Sequence, residues 1–267
     1  MSVDSGCLLM GDRLVIPSSL REKVLTELHD GHPGITRMKL LARGKVWWRQ
    51  LDAHIEAKVR QCIGCNKTAK SPPDTSRSHE WPKPAASFDR IHLDFAGPFQ
   101  DKYFLILVDA LSNWPEVCSM TRPNTDNTIQ FLRSVFCREG LPLTLVTDNG
   151  TQFTSDEFER FCRENGIRHI LTAPYHPSSN GEAERMVQNV KNSLKAMAAE
   201  PGDLTCRIQR FLFNYRTTPN AVTGKSSADI HRGRPLRSRL DQLRPPVPIK
   251  EKDSTNPGRT FCKGERV

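Results

Sequence analysis

The amino-acid sequence specifies an α/β protein, a mixed sheet covered by helices on both sides and preceded by a small helical unit. Three observations carry this. From Asp89 onward come three strand-like runs in succession, followed by helices and strands in alternation, the pattern of a mixed sheet between helix layers. Upstream lie three short amphipathic helical segments with little core of their own, the last running into Cys62-Ile63-Gly64-Cys65. Between the two, residues 71–87 are rich in Pro and Ser with no periodicity and read as a linker.

Taken in order, residues 8–16 form a short hairpin turning at Gly11-Asp12. Ser19 and Glu22 have capping-box spacing at the head of a helix whose Leu20, Val24, Leu25 and Leu28 share one face, and Gly31 stops it. Helical segments follow at Ile35–Arg43, ended by Gly44, and at Leu51–Arg60. After the linker, Ile91, Leu93 and Phe95 alternate with His92 and Asp94 until Gly97-Pro98 ends the strand. Residues 102–110 are apolar on both faces, as a central strand is. Residues 114–120 supply a third strand and Thr125–Cys137 an amphipathic helix. Residues 143–148 make a fourth strand, Asp156–Glu164 a helix capped by Ser155, and residues 167–172 the fifth strand. A long helix runs from Gly181 to about Ala199. The expected division is 1–70, 71–87, 88–220 and a basic region, 221–267.

Charge narrows the partners. The net charge is +9, and from Pro201 onward there are 14 Lys and Arg against 6 Asp and Glu. Such an excess suits a polyanion, or is a solvated tail. No run of 18 apolar residues and no basic-then-apolar leader occurs, so an intracellular protein without membrane contact is expected. Of eight cysteines only Cys62 and Cys65 are closely spaced, which argues against a disulfide framework.

Two constellations carry chemistry. His29, His32, Cys62 and Cys65 offer two imidazoles and two sulfurs, a tetrahedral set for Zn²⁺ that would supply the stability the small helices lack. His54, alone in mid-helix, is read as solvent-facing. The second set is acidic. Asp94 and Asp148 close strands, and Glu184 lies just inside the long helix with 35 residues between it and Asp148. Three carboxylates so delivered are what a protein uses to hold a pair of divalent cations, Mg²⁺ or Mn²⁺, over a phosphodiester. Ser179 and Glu182 have capping-box spacing, which leaves Glu184 for metal. Gln188 and Lys191 share its helix face toward DNA, although an ordinary exposed lysine is an equal reading of Lys191. His176 either positions DNA or shapes the helix entry, and Asp109 is read as structural.

These residues resemble the integrases of retroviruses and of Ty3/gypsy-type LTR retrotransposons. The resemblance runs from about Leu9 to Leu243 and rests on LHDGHPGITRMKLLAR, CIGC, IHLDFAGPF, LVDALSNWPEV, LVTDNGTQFTS, APYHPSSNGEAER and FNYRTTPNAVTGKS. It departs at WWRQ, where relatives usually have WWPG, and in the histidine spacing, tighter than in retroviral integrases. The resemblance implies an RNase H-like catalytic core behind an N-terminal zinc domain, with Asp94, Asp148 and Glu184 catalytic and His29, His32, Cys62 and Cys65 on zinc. It further implies 3′-end processing and strand transfer into target DNA, a homo-multimer joining two DNA ends, and a nuclear site of action. The start of a C-terminal β-domain is expected at FCKGERV, in a polyprotein fragment or a domesticated copy. The competing classes are a non-catalytic DNA-binding or assembly protein of integrase descent and an RNase H-like nuclease or transposase.

Overall fold

The computed structural model describes residues 1–4, 6–67, 82–172, 181–197, 203–221 and 223–243. His176, Ser179 and the side chains of Glu182 and Glu184 therefore lie outside what it describes.

The expected mixed five-stranded sheet is present, in the order β7 (Pro115–Met120), β6 (Lys102–Asp109), β5 (Arg90–Phe99), β8 (Thr144–Thr147), β9 (Arg168–Leu171). β5 pairs antiparallel with β6 and parallel with β8, so it is the strand at which the sheet changes sense. It does not end at Gly97-Pro98; it resumes at Phe99 after a register shift.

Strand alternation splits the side chains between two cores. Ile91, Leu93, Leu105, Leu107 and Leu145 pack with α5 (Thr125–Glu139) and α6 (Asp156–Glu164) on one face. Ala96, Phe104, Ile106 and Val108 pack on the other with Met186, Val190 and Leu194 of α7 (Gly181–Ala196) and with α8 (Leu204–Thr217). Every residue of β6 from Phe104 to Asp109 is buried, as expected of a strand apolar on both faces. Ser155 caps α6 by accepting from the Phe158 amide, also as expected.

The N-terminal part carries more β structure than the sequence suggested. The hairpin of β2 (Cys7–Met10) and β3 (Arg13–Val15) forms about the expected turn, but β1 (Ser2–Asp4) and β4 (Val46–Trp47) extend it to four strands. Three helices, α1 (Ser18–Leu28), α2 (Ile35–Arg43) and α3 (Leu51–Gln61), cover it, and a short α4 (Ile63–Lys67) follows. Their shared core contains Val24, Leu25, Leu28, Met38, Trp48 and Ile55.

Two expectations fail here. Pro17, not Ser19, is the N-cap of α1, and no side chain caps it; Glu22 instead accepts from Lys58 of α3 at 2.5 Å. Leu20, expected on the apolar face with Val24, Leu25 and Leu28, is 47% exposed at the first turn. His54 is half-buried, with Nδ1 accepting from the Trp48 indole at 2.8 Å.

The chain then returns to this core from far away. A 3₁₀ turn at Arg239–Leu243 puts Leu240 into it, with Asp241 accepting from Lys45 and Arg239 reaching Glu27 at 3.2 Å. Between α8 and that turn lies α9 (Ser227–Arg232), opened by a capping box of Ser226 and Asp229. No helix among the described residues is long and apolar enough to cross a membrane.

Candidate metal centres

Helix ends place the nitrogen and sulfur donors. His29 is the C-cap of α1, and Gly31, at φ 73°, turns the chain so that His32 follows in a left-handed conformation at φ 54°. Cys62 is the C-cap of α3 and Cys65 sits in α4. One donor atom from each of these four residues falls within 4.8 Å of every other. The His32 Nδ1 lies 3.3 Å from the Cys62 Sγ and 3.4 Å from the Cys65 Sγ, and the His29 Nε2 lies 3.6 Å from the Cys65 Sγ.

Those separations test the fit of zinc. A tetrahedron with Zn–S of about 2.3 Å and Zn–N of about 2.0–2.1 Å has N···S edges of about 3.6 Å, so the donor shell has the size the ion needs. Burial, and then the adjacent Cys62, push the Cys65 thiol up to about 12. A divalent cation would offset that cost and let both sulfurs bind as thiolates.

Both donor pairs are anchored outside their own unit. Asp30, between the histidines, receives two bonds from Arg210 of α8, at 2.8 and 2.7 Å, and its carbonyl accepts from Asn214. Gly64, between the cysteines, abuts the end of α7 so closely that a Cβ there would collide with the Ala196 carbonyl.

The acidic residues are placed by the sheet. β5 and β8 run parallel with His92 beside Val146; Asp148 directly follows β8, whereas Asp94, expected to close its strand, lies in the middle of β5, because that strand runs on to Phe99. By alternation Asp94 falls on the side of Ala96, and Asp148 on the side of Val146, both toward the face that α7 covers. Asp94 is half-buried and Asp148 exposed. The Asp94 Oδ1 accepts from the Phe95 amide at 2.7 Å and the Asp148 Oδ1 from the Gly150 amide at 3.0 Å. Glu184 belongs to the first turn of α7, which packs on β5. Farther along α7, Gln188 is exposed and donates to Asn192 at 2.8 Å, while Lys191 is half-buried.

Asp109 shows the contrast between a structural and an available carboxylate. It ends β6 opposite Ile91, three residues before Asp94 along β5. It is fully buried and accepts from the amides of Phe88 and Ser112 at 2.8 and 2.9 Å and from the Ser112 hydroxyl, with His231 of α9 at 3.7 Å. Burial pushes its carboxyl up, but these contacts outweigh burial and hold it below its ordinary value.

Two family models match the chain: the integrase zinc binding domain over residues 16–71 and the integrase core domain over residues 84–177. The chain belongs to the integrase family. It is 42% identical over 241 residues, 90% of its length, to an uncharacterized Caenorhabditis elegans protein, of which it covers 19%. It is 27% identical over 200 residues, 72% of its length, to the Pro-Pol polyprotein of simian foamy virus type 3, covering 17% of that protein. The integrase chain thus spans less than a fifth of the length of these relatives. Its fold matches a chain of the simian T-cell lymphotropic virus intasome in complex with PP2A regulatory subunit B56 gamma, with TM-score 0.54, 20% identity, and coverage of 86% of this chain and 78% of that one.

The helices beyond Asp203 escaped the sequence reading. A signal for one was there, since Ser226 and Asp229 have capping-box spacing.

Proposed function

We propose that this integrase is a polynucleotidyl transferase that processes the 3′ ends of retroelement DNA and joins them to target DNA. The observation that supports the proposal is that Asp94, within β5, and Asp148, just after β8, lie on adjacent parallel strands on the sheet face that α7 covers.

In this reading Asp94, Asp148 and Glu184 hold Mg²⁺ or Mn²⁺. When bound, a pair of such ions activates the attacking oxygen and stabilises the leaving one. The chain's own contribution is placement. The sheet would hold Asp94 and Asp148 on adjacent strands, and α7 carries Glu184. Neither a covalent intermediate nor a protein base is needed, so Cys162, on the buried face of α6, is left to packing. His29, His32, Cys62 and Cys65 would hold Zn²⁺ in an N-terminal unit at 1–70, joined through 71–87 to a core at 88–220, with 221–267 basic. On α7, exposed Gln188 is the better-supported DNA contact and half-buried Lys191 the second; His176, outside the described residues, completes the proposed set. Work on two DNA ends implies a homo-multimer and a nuclear site of action, in a chain of Ty3/gypsy type.

The test is Mg²⁺- or Mn²⁺-dependent disintegration of a branched DNA. Resealing by the native chain, reduced at least about 10³-fold in Asp148→Asn with DNA binding kept, is the expected result. A folded, zinc-loaded chain that binds DNA without resealing it would favour the non-catalytic assembly protein.

A further inference from the structure

The strand that ends at Asp148 is braced from behind. β9 is the edge strand of the sheet, and it pairs with β8 so that His169 sits beside Leu145 and Leu171 beside Thr147. His169 turns to the face opposite the carboxylates, where its ring meets Phe158 of α6 with centroids 5.2 Å apart. There its Nε2 lies 2.8 Å from the hydroxyl of Thr147, a residue with no exposed surface. That hydroxyl in turn donates to the carbonyl oxygen of Asp148 at 2.9 Å.

Proton counting settles the direction of this relay. A threonine hydroxyl has one proton, and here it goes to the Asp148 carbonyl. At the histidine contact Thr147 must therefore accept, and the Nε2–H of His169 donates. Burial lowers the His169 imidazole below its ordinary value against the pull of Glu159, which suits a neutral ring protonated at Nε2. Two further bonds hold the same peptide region: the Thr172 amide donates to the Thr147 carbonyl at 2.9 Å, and the Asn149 side chain donates to the Thr172 carbonyl at 3.1 Å.

Asp148 itself is exposed, and only its backbone is held from the far side. The direction of the peptide after Thr147 sets where its carboxylate points relative to Asp94. We propose that His169 is a positioning residue for the metal-binding carboxylate of Asp148, acting through the Thr147 hydroxyl. This rests on the reading of Asp94, Asp148 and Glu184 as the catalytic set. His169 touches neither substrate nor metal in this arrangement; it removes a rotation that the exposed strand end would otherwise have.

The experiment compares His169→Phe, which keeps the ring packing but lacks a donor, with His169→Gln, which restores an N–H. Thr147→Val and Thr147→Ser form the matching pair. Mn²⁺ binding to the full, zinc-loaded chain is followed by electron paramagnetic resonance, and the Mg²⁺ dependence of disintegration is measured beside it. His169→Phe and Thr147→Val should each weaken metal binding about tenfold and raise the half-saturating Mg²⁺ equally. The double variant should be no worse than either single one, and His169→Gln and Thr147→Ser should recover most of the loss. Unchanged metal affinity in a folded His169→Phe chain overturns the proposal, as does a loss that His169→Gln fails to recover. Failure of the underlying reading looks different: Asp148→Asn would then bind Mn²⁺ as the native chain does.

Discussion

The nitrogen–sulfur cluster and the acidic cluster are built on opposite plans. The first is closed: four donors sit on helix ends within 4.8 Å of one another, in a unit whose core is small. The second is open, with Asp148 exposed on a sheet whose two faces are separately packed. A closed site puts metal-binding energy into the fold, whereas an open one receives its shape from the fold and leaves coordination positions for a substrate. Gly64 against Ala196, and Asp30 against Arg210, tie the closed site to the helices that back the open one.

Removing zinc should separate the two plans most sharply. Apparent binding energies of structural zinc sites are about 10–16 kcal/mol. Chelation, or Cys65→Ser, should therefore abolish hydrogen-exchange protection in α1–α3 while β5, β6 and β8 stay protected. Co²⁺ titration, read from its visible absorption, checks the donor set; loss of protection throughout the sheet would mean that the units do not fold separately.

A smaller effect tests what makes a strand-end carboxylate structural. Asp109→Asn should destabilise the chain by about 3–5 kcal/mol, the cost of breaking a buried, bonded charge, measured by urea unfolding. The pH dependence has a definite sign. Because the folded carboxyl lies below its ordinary value, its contribution is whole above about pH 4 and is lost as pH falls through the lowered folded value. The variant should lack that acid-side loss, and Asp148→Asn, at an exposed position, should barely change stability.

The smallest expected effect concerns the link. Gly64→Ala must push α4 away from the end of α7, at about 1–3 kcal/mol. Exchange protection should fall at Ser193–Met197 with Co²⁺ binding retained. Unaltered protection there would show that the closed site does not support α7.

Much of this was legible in the residues. Period-two alternation marked β5, an unbroken apolar run marked β6, and Ser155 announced α6, because each depends on neighbours within a few positions. The gathering of His29, His32, Cys62 and Cys65 was legible too, since His and Cys at helix ends are local signals, but Asp94, expected to close a strand, lies within β5. Local signals also misled. The Ser19–Glu22 spacing suggested a cap, but Lys58, 36 residues away, takes Glu22 instead. His54 looked solvent-facing because nothing nearby in its helix announced the Trp48 indole.

Secondary structure and ligand chemistry thus came from the order of residues alone, for their physics is that of a few adjacent peptide units. Tertiary structure decided what distant segments do to one another. It set the parallel register of β5 beside β8, the His169 contact behind Thr147, the approach of Gly64 to Ala196, and the return of Asp241 to Lys45 across 196 positions. Those contacts depend on which faces meet when two cores pack, and a one-residue slip in any strand would send each side chain to the wrong face.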